Sequence, residues 1–350
     1  MSKWRNHLRF LAALQLLPAL ESSEETLVGG QAVLEGVMMR SPHAWGIAVR
    51  KPSGDETAMG KIVCHSEPLD RPSDKHKWMA WPMVRGVVTL GYAMKLGFKA
   101  LKFSADAALD GAQTEAGVKD DEKFEISGWM FAVNIIFSLG FFILMYKFLP
   151  LLATTELQKL SPIFKSQIMF NVIDGVIRLL LFLGFIWATS LWKDLRRVYE
   201  YHGAEHKTVF AFEAGDALTI PNAQKFSTFH PRCGTSFLMT VMIISIVVYT
   251  LVPVHTFWAR FAIRIALLPV IAGLSYEIIR FAGKVRNRAM QSGKAQGPAA
   301  WLFTALTAPG LWLQRITTQP PSDDQVECAI VALDHAMDLE KKHGGELVLA

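Results

Sequence analysis

Cysteine is scarce in this sequence, which contains only Cys64, Cys233 and Cys328 among its 350 residues. The three cysteines are odd in number and far apart, so the sequence has no disulfide framework of the kind that stabilises small secreted domains. Their spacing fits a protein that folds in a reducing compartment. We also find no internal repeat and no low-complexity tract.

Strong net charge is lacking too, because 36 basic and 31 acidic side chains give a formal net charge of only +5. The basic residues cluster beside apolar blocks, and arginines do not alternate with aromatic residues as they do on surfaces that stack bases. We therefore predict no nucleic-acid partner and interpret the basic clusters as contacts with lipid headgroups. The predicted partners are membrane lipids, together with a membrane protein complex or a homo-oligomer.

Apolar residues are present in excess, at 51% of the chain, and they are concentrated in blocks. Four blocks contain about twenty residues each, enough to cross a hydrocarbon core of ~30 Å at ~1.5 Å per residue. The predicted fold class is mainly α: a polytopic membrane protein with about four transmembrane helices, amphipathic helices and a small N-terminal part that contains a β-hairpin. The predicted spans are residues 128–149, 169–192, 236–258 and 261–281.

The orientation of these spans is predicted from the basic residues near their ends. Lysine and arginine are more frequent after the second and fourth blocks than in the other connections. Under the positive-inside rule, both termini and the loop at 193–235 are cytoplasmic, and the protein lies in the inner (plasma) membrane. The basic residues that indicate the inner side are Lys193, Arg196, Arg197, Lys284, Arg286 and Arg288. The connections predicted on the outer side contain only Lys159, Lys165 and Arg260.

The rest of the chain divides into segments of different composition. The basic start and short apolar run of the first segment favour an amphipathic helix, with a signal peptide as the competing interpretation. Alternating apolar and polar residues at 44–50 and 57–63 flank a turn and predict a β-hairpin. The predicted segments are an N-terminal helix at 1–26; a cytoplasmic region at 27–125 with the hairpin, an amphipathic helix at 81–108 and a linker at 110–125; a membrane domain at 126–283 with a histidine-rich loop at 193–235; and a cytoplasmic region at 284–350 with an interfacial or re-entrant segment at 301–312 and a helix at 323–342.

The polar loop between the second and third blocks contains the motif His202-Gly203-Ala204-Glu205-His206. At ~100° per residue, histidines four positions apart lie on one face of a helix and can aim at a common ion. Glu205 is adjacent, where a carboxylate binds a metal or accepts a proton from a bound water; the inverted zinc metallopeptidases share this spacing. The competing interpretation is that this spacing arose by chance on the solvent-exposed face of a membrane-proximal helix.

Further metal-ligand types follow in the same loop. His230 and Cys233 provide an imidazole and a thiolate, which are the ligand types that zinc prefers. Glu213 lies eleven residues after His202 and returns to the same face if the helix continues that far. We predict a divalent metal, zinc, with Glu205 as the catalytic base. The predicted ligands are His202, His206, His230, Cys233 and Glu213.

Other polar residues stand among apolar ones and are further candidates for a site. Asp174 and Arg178 lie four positions apart in the second block, where charged residues mark functional sites; an ion pair between helices is the competing interpretation. Glu35 and Arg40 can instead pair with each other or lie in water. The candidates are Gln31, Glu35, Arg40, Arg232, Asp174, Arg178 and Glu277.

Six longer motifs lie at residues 29–40, 85–87, 201–207, 226–237, 272–277 and 309–314. Together they resemble the YqhQ-like family, a bacterial membrane group also named domain of unknown function 1385. The resemblance covers about residues 27–333, and the residues before Ser22 lie outside the family pattern. It implies a membrane protein of the predicted architecture and a predicted metal-dependent enzyme in which these motifs act together.

The sequence leaves three functions open. The first is a metal-dependent hydrolase that acts on a lipid or a membrane-associated substrate at the cytoplasmic face. The second is a non-enzymatic scaffold with a structural metal, and the third is a transporter, suggested by the charges within the blocks. Three protein ligands with one open position would indicate the enzyme, whereas four protein ligands would indicate the scaffold.

Overall fold

The computed structural model describes residues 28–52, 60–69, 76–115, 127–160, 163, 166–230, 233–291 and 298–343. The predicted N-terminal segment at 1–26 and the candidate Arg232 lie outside the described residues. Within the described part, the chain is mainly helical, with a small antiparallel sheet near its N-terminal end. The structure therefore confirms the predicted mainly α class with a small β part.

Four strands form an antiparallel sheet in the order β1-β2-β3-β4. β3 coincides with the first strand of the predicted hairpin, but its partner β4 begins at Ile62, later than predicted, and β1 and β2 form a hairpin that the sequence did not predict. That hairpin turns at Leu34 and Glu35, which are not typical turn residues, although Glu35 has a φ of 50°. The strands are β1 (Gly29–Val33), β2 (Gly36–Arg40), β3 (Ala44–Arg50) and β4 (Ile62–Pro68).

Helices make up most of the rest of the described chain. The first one extends to Glu115, so the linker predicted at 110–125 does not begin at 110. A π-helical turn, Leu144–Phe148, joins the second helix to the third without a break. The helices are α1 (Val84–Glu115), α2 (Gly128–Ile143), α3 (Leu149–Leu160), α4 (Gln167–Ser190), α5 (Lys193–Glu213), α6 (Ile220–Gln224), α7 (Gly234–Thr250), α8 (Phe257–Ala266), α9 (Leu268–Gln291), α10 (Pro298–Thr317) and α11 (Asp323–His343).

Helices cover both faces of the sheet. On one face, Met38 belongs to an apolar core that includes Leu96 of α1. On the other face, Met39 belongs to a second core, which includes Tyr201 of α5 and Leu333 of α11. Successive side chains of a strand point to opposite faces, so β2 contributes to both cores. The second core is the platform on which α5, with its histidines, is positioned.

A buried carboxylate fixes the end of α11 to the sheet. Glu340 accepts hydrogen bonds from the Ser41 hydroxyl at 2.6 Å and from the His43 backbone N–H at 2.8 Å. Its second oxygen lies 2.7 Å from Nδ1 of the His43 ring. Burial by itself would raise the pKa of Glu340, but the hydrogen bonds from Ser41 and His43 outweigh burial and hold this pKa below its ordinary value.

We expect Glu340→Gln to destabilise the protein by about 2 kcal/mol near neutral pH, since hydrogen bonds to a charged group are lost. The folded-state pKa is depressed, so this stabilisation is fully present above the unfolded pKa of about 4.3 and is lost as the pH falls through the folded-state pKa. Thermal unfolding of both proteins over a pH series should therefore show a difference that shrinks in acid. Glu156→Gln is the control, because Glu156 is exposed. A pH-independent difference would contradict this account.

The apolar helices that follow α1 share a third core, which includes Tyr146 and Phe182. Among the described residues, two helices are long and apolar enough to cross a membrane, residues 128–160 and α4, and α8 with α9 makes a third if this pair, bent by 47°, acts as one span. By length and composition, two or three of the four predicted spans therefore correspond to a helix that could cross a membrane. α7 has only 17 residues because it ends shortly before Pro253, and Pro269 follows the break between α8 and α9.

The apolar segment at 301–312 belongs to one helix, because α10 continues through Pro309. The following Gly310 lies against α7, where an added Cβ would be 2.4 Å from the Cα of Ser236. Glycine at this position therefore permits the close approach of α10 and α7, which brings the end of α10 to the candidate site.

Candidate metal centre

α5 carries the histidine motif and has the helical geometry that the spacing predicts. The ring centroids of His202 and His206 lie 4.5 Å apart, on one face of the helix. His206 is buried, whereas His202 is half-buried. The two imidazoles therefore stand side by side at a partly accessible position, as a shared metal ion requires.

Cys233 joins the two histidines from the residue just before α7. Its Sγ lies 3.3 Å from Nε2 of His202 and 3.2 Å from the Thr235 hydroxyl. One ligand atom from each of His202, His206 and Cys233 lies within 4.8 Å of the other two. Of the predicted ligands, these three converge, and we refer to them as the HHC cluster.

Both histidine rings are oriented by backbone carbonyl groups. Nδ1 of His202 lies 2.8 Å from the carbonyl oxygen of Thr317, at the end of α10. Nδ1 of His206 lies 2.5 Å from the carbonyl oxygen of Thr228. A ring that donates its Nδ1–H to a carbonyl presents the lone pair of Nε2, which is the usual outer arrangement of a metal-binding histidine. Burial lowers the pKa of His206, which favours the neutral ring that a metal ion binds.

His230 and Glu213 lie beside the HHC cluster but not within it. The ring centroid of His230 is 5.6 Å from that of His206 and 4.4 Å from that of Phe210. Nε2 of His230 lies 3.5 Å from a carboxylate oxygen of Glu213. The predicted return of Glu213 toward the histidines is thus observed, but it meets His230 and not the three converging ligands.

The turn that carries His230 and Cys233 is held by a residue that the sequence did not single out. The side-chain amide of Gln314, fully buried on α10, accepts from the His230 N–H at 2.8 Å and donates to the His230 carbonyl at 2.9 Å. The backbone N–H of Cys233 donates to that same carbonyl at 3.3 Å. Gln314 therefore fixes the segment that delivers the sulfur ligand.

We expect Gln314→Met to weaken zinc binding by about 10- to 100-fold while the protein remains folded, because the Cys233 turn loses its anchor. The affinity is measured by competition with a chelator of known zinc affinity. Gln319→Met is the matched control, since the Gln319 amide donates to the carbonyl of Ile316. Equal zinc affinity in Gln314→Met and the wild type would show that the turn needs no such anchor.

Glu205 packs against β1 of the sheet and is not a member of the HHC cluster. Its carboxylate accepts a hydrogen bond from the backbone N–H of Gly30 in β1, and an added Cβ at Gly30 would lie 3.0 Å from Cγ of Glu205. Burial raises the pKa of Glu205, although the nearby His202 and His230 oppose that shift. The carboxyl group is therefore buried between β1 and the histidine face of α5.

Three N-terminal candidates lie on the first hairpin. Glu35 does not pair with Arg40: its carboxylate receives two hydrogen bonds from Arg197 of α5, at 2.6 and 2.5 Å. Arg40 is exposed, and Gln31 packs its amide against Gly97 of α1. The Glu35–Arg197 pair joins the hairpin turn to the first half of α5.

The remaining candidates lie away from the HHC cluster. Asp174 pairs with Arg178 on α4 and also with Arg264 of α8, so the predicted ion pair between helices is present. Glu277 of α9 binds Arg85 of α1 through two hydrogen bonds, at 2.7 and 2.5 Å. These contacts join helices to one another.

Sequence comparisons match this chain to a protein family and to a similar protein. A family model described as "Protein of unknown function (DUF1385)" matches residues 81–339. The "Uncharacterized protein YqhQ" of Bacillus subtilis (strain 168) is 34% identical over 314 residues, which cover 89% of this chain and 92% of that protein. No solved structure matches the chain.

Proposed function

This chain belongs to the DUF1385 family of proteins of unknown function, and we propose that it is a zinc-dependent membrane hydrolase. The observation that carries the proposal is the HHC cluster, in which His202, His206 and Cys233 bring three ligand atoms within 4.8 Å of one another. The carbonyl partners of both Nδ1 atoms are the second observation, since they set the ring tautomer that binds a metal.

The donor set favours zinc over other divalent ions. Two imidazole nitrogens and one sulfur suit zinc, whereas magnesium and calcium prefer oxygen ligands. Three protein ligands are the number found in catalytic zinc sites, which keep a fourth position open. A zinc ion held there would supply Lewis acidity and lower the pKa of water toward neutrality.

The groups around the HHC cluster orient its three ligands, and one of these groups is the proposed proton acceptor. His202 and His206 are held by carbonyl groups, and Cys233 is held by its anchored turn. Glu205 is the proposed proton acceptor, because this buried carboxyl group lies close enough to His202 and His230 for their charges to lower its pKa, although it is not a member of the HHC cluster itself. Its buried position shields the proton that it accepts from bulk water.

The proposed location of the site is the cytoplasmic surface of the inner membrane. In support, α5 begins at Lys193, just after α4 ends at Ser190, and Cys233 directly precedes α7. The site therefore adjoins the ends of two apolar helices, next to basic residues that favour the inner side. A lipid or a membrane-associated molecule is the substrate class that such a position reaches.

A structural metal site in a membrane scaffold is the second candidate, and His230 is the observation that favours it. The centroid of the His230 ring lies 5.6 Å from that of His206, so His230 is the side chain that would supply a fourth protein ligand. Four protein ligands would close the site to substrate. A transporter is the third candidate. Solute flux through the wild-type protein that is lost in Asp174→Asn would support it.

X-ray absorption at the zinc edge of the purified full chain separates the first two candidates. Two nitrogen, one sulfur and one oxygen ligand would support the hydrolase, whereas three nitrogen ligands and one sulfur would overturn it in favour of the scaffold.

We expect Glu205→Gln to keep about one zinc per chain and to slow the hydrolysis of bacterial phospholipids in liposomes by about 100-fold or more. The amide keeps the size of the side chain and can still accept from the Gly30 N–H, but it cannot take up a proton. Product release is measured by mass spectrometry. Glu200→Gln, on the same helix with its carboxylate bonded to Gln325, is the control and should behave as the wild type. Equal turnover in Glu205→Gln and the wild type would remove Glu205 from the reaction.

A further inference from the structure

The bundle of α4, α7 and α8 has one carboxylate among its described residues, Asp174, which is 1% exposed. Asp174 accepts hydrogen bonds from Arg178 on the same helix and from Arg264 on α8. Arg178 also donates to the hydroxyl of Ser245 on α7 at 2.7 Å, while its buried Nε has no hydrogen-bond partner in the described chain. Arg178 and Arg264 carry two positive charges against the one negative charge of Asp174, so these three side chains leave one positive charge in excess.

Two further cations are buried in the same region. Lys147 is 5% exposed and donates to the hydroxyl of Tyr249 at 3.1 Å. Arg260 is 9% exposed, donates to the Val254 carbonyl at 2.8 Å, and places its guanidinium 3.8 Å from the centroid of the Phe170 ring. Within the described residues, neither cation contacts a carboxylate. Burying charge without a counter-charge is costly, so this excess calls for an additional anion.

A small cavity is lined by two of these cations, Arg260 and Arg264, whereas Lys147 and Arg178 do not line it. Its other polar lining residues are Gln167, Asn171 and Tyr249. The cavity volume of about 10 Å³ is enough for one oxygen-sized atom. Guanidinium groups bind phosphate through parallel N–H donors. The side-chain amides of Gln167 and Asn171 already donate to backbone carbonyls, so the two arginines are the donors to the anion. A single phosphate oxygen therefore matches both the size and the charge of the cavity.

We propose that this cavity is an anion-binding site that receives an oxygen of a phosphate group. It lies at the beginning of α4 and the end of α7, whereas the HHC cluster adjoins the opposite ends of these helices. The site is therefore separate from the metal centre and stands independently of the proposed hydrolase activity. The phosphate belongs either to an anionic lipid headgroup at that surface or to free inorganic phosphate.

The test is binding of three probes to the full chain, purified in neutral detergent and stripped of lipid. Phosphatidylglycerol and inorganic phosphate carry the proposed group, and diacylglycerol lacks it. Arg260→Gln removes a cation without leaving a carboxylate unpaired, and Arg315→Gln, an exposed arginine on α10, is the matched control. Affinities are measured by native mass spectrometry for the lipids and by calorimetry for phosphate.

We expect phosphatidylglycerol to bind the wild type and Arg315→Gln equally, and to bind Arg260→Gln about 10-fold or more weakly. Binding of phosphatidylglycerol alone would identify the lipid headgroup, and binding of inorganic phosphate as well would identify the phosphate group itself. Affinity that is unchanged in Arg260→Gln, equal affinity for diacylglycerol, or no binding of either phosphate probe would overturn the proposal. If Arg260→Gln does not fold, Arg260→Lys is compared in the same way, because lysine keeps the charge but loses the parallel N–H donors and is likewise expected to bind phosphatidylglycerol more weakly.

Discussion

His206→Ala protein is expected to contain less than about one tenth of a zinc ion per chain, against about one in the wild type. The histidine supplies one of three convergent ligand atoms, and no other side chain is among the described members of that cluster. Two ligands hold zinc far more weakly than three, and alanine leaves a buried gap beside His202. Zinc is measured by mass spectrometry of metal content after purification without chelator.

His255→Ala is the matched control, because His255 is an exposed histidine between α7 and α8, at the other end of the bundle. Its zinc content should equal that of the wild type. Cys233→Ser is expected to lower zinc affinity as well, because a serine hydroxyl is a poorer ligand than a thiolate. Full zinc occupancy in His206→Ala, with the circular dichroism of the wild type, would show that the metal is bound elsewhere.

Gly203→Ala is expected to be the most damaging small substitution on α5. Alanine is favoured over glycine within a helix by about 1 kcal/mol, so helix propensity alone predicts stabilisation. At this position, however, an added Cβ would lie 2.1 Å from the carbonyl oxygen of Gln319. The Gln319 N–H also donates to the Tyr199 carbonyl at 2.9 Å, so α5 and this segment are in direct backbone contact. We expect destabilisation on the order of 3 kcal/mol.

The same substitution should weaken zinc binding, since the displaced segment follows Thr317, whose carbonyl orients His202. Thermal unfolding and zinc titration of the purified variant measure the two effects. Gly91→Ala on α1 is the control: an added Cβ there has no neighbour within 4 Å, and we expect no loss of stability. If Gly203→Ala unfolds at or above the wild-type temperature, the close packing of α5 against the 317–321 segment is wrong.

The mainly helical class and the histidine face could be predicted because both depend on local geometry. The spacing of His202 and His206 determines their common face once the segment is helical, and the apolar blocks determine which helices are long enough to span. Helix breaks were harder to predict. Pro253 shortens α7, whereas Pro309 leaves α10 unbroken, because each outcome depends on the neighbouring helices as well as on proline.

The sequence by itself determined the types of ligand available and their order along the chain. Only the tertiary structure decided that Cys233 reaches the two histidines of α5 while His230 contacts Glu213. Gln314 of α10 binds the backbone of His230, whose carbonyl group accepts the N–H of Cys233. Only the tertiary structure likewise showed that Glu35 pairs with Arg197, which lies 162 residues away in the sequence. Every residue has a carbonyl group, so the sequence could not indicate which two carbonyl groups orient the histidine rings. Local spacing is set by helix geometry, whereas contacts between distant segments are set by packing.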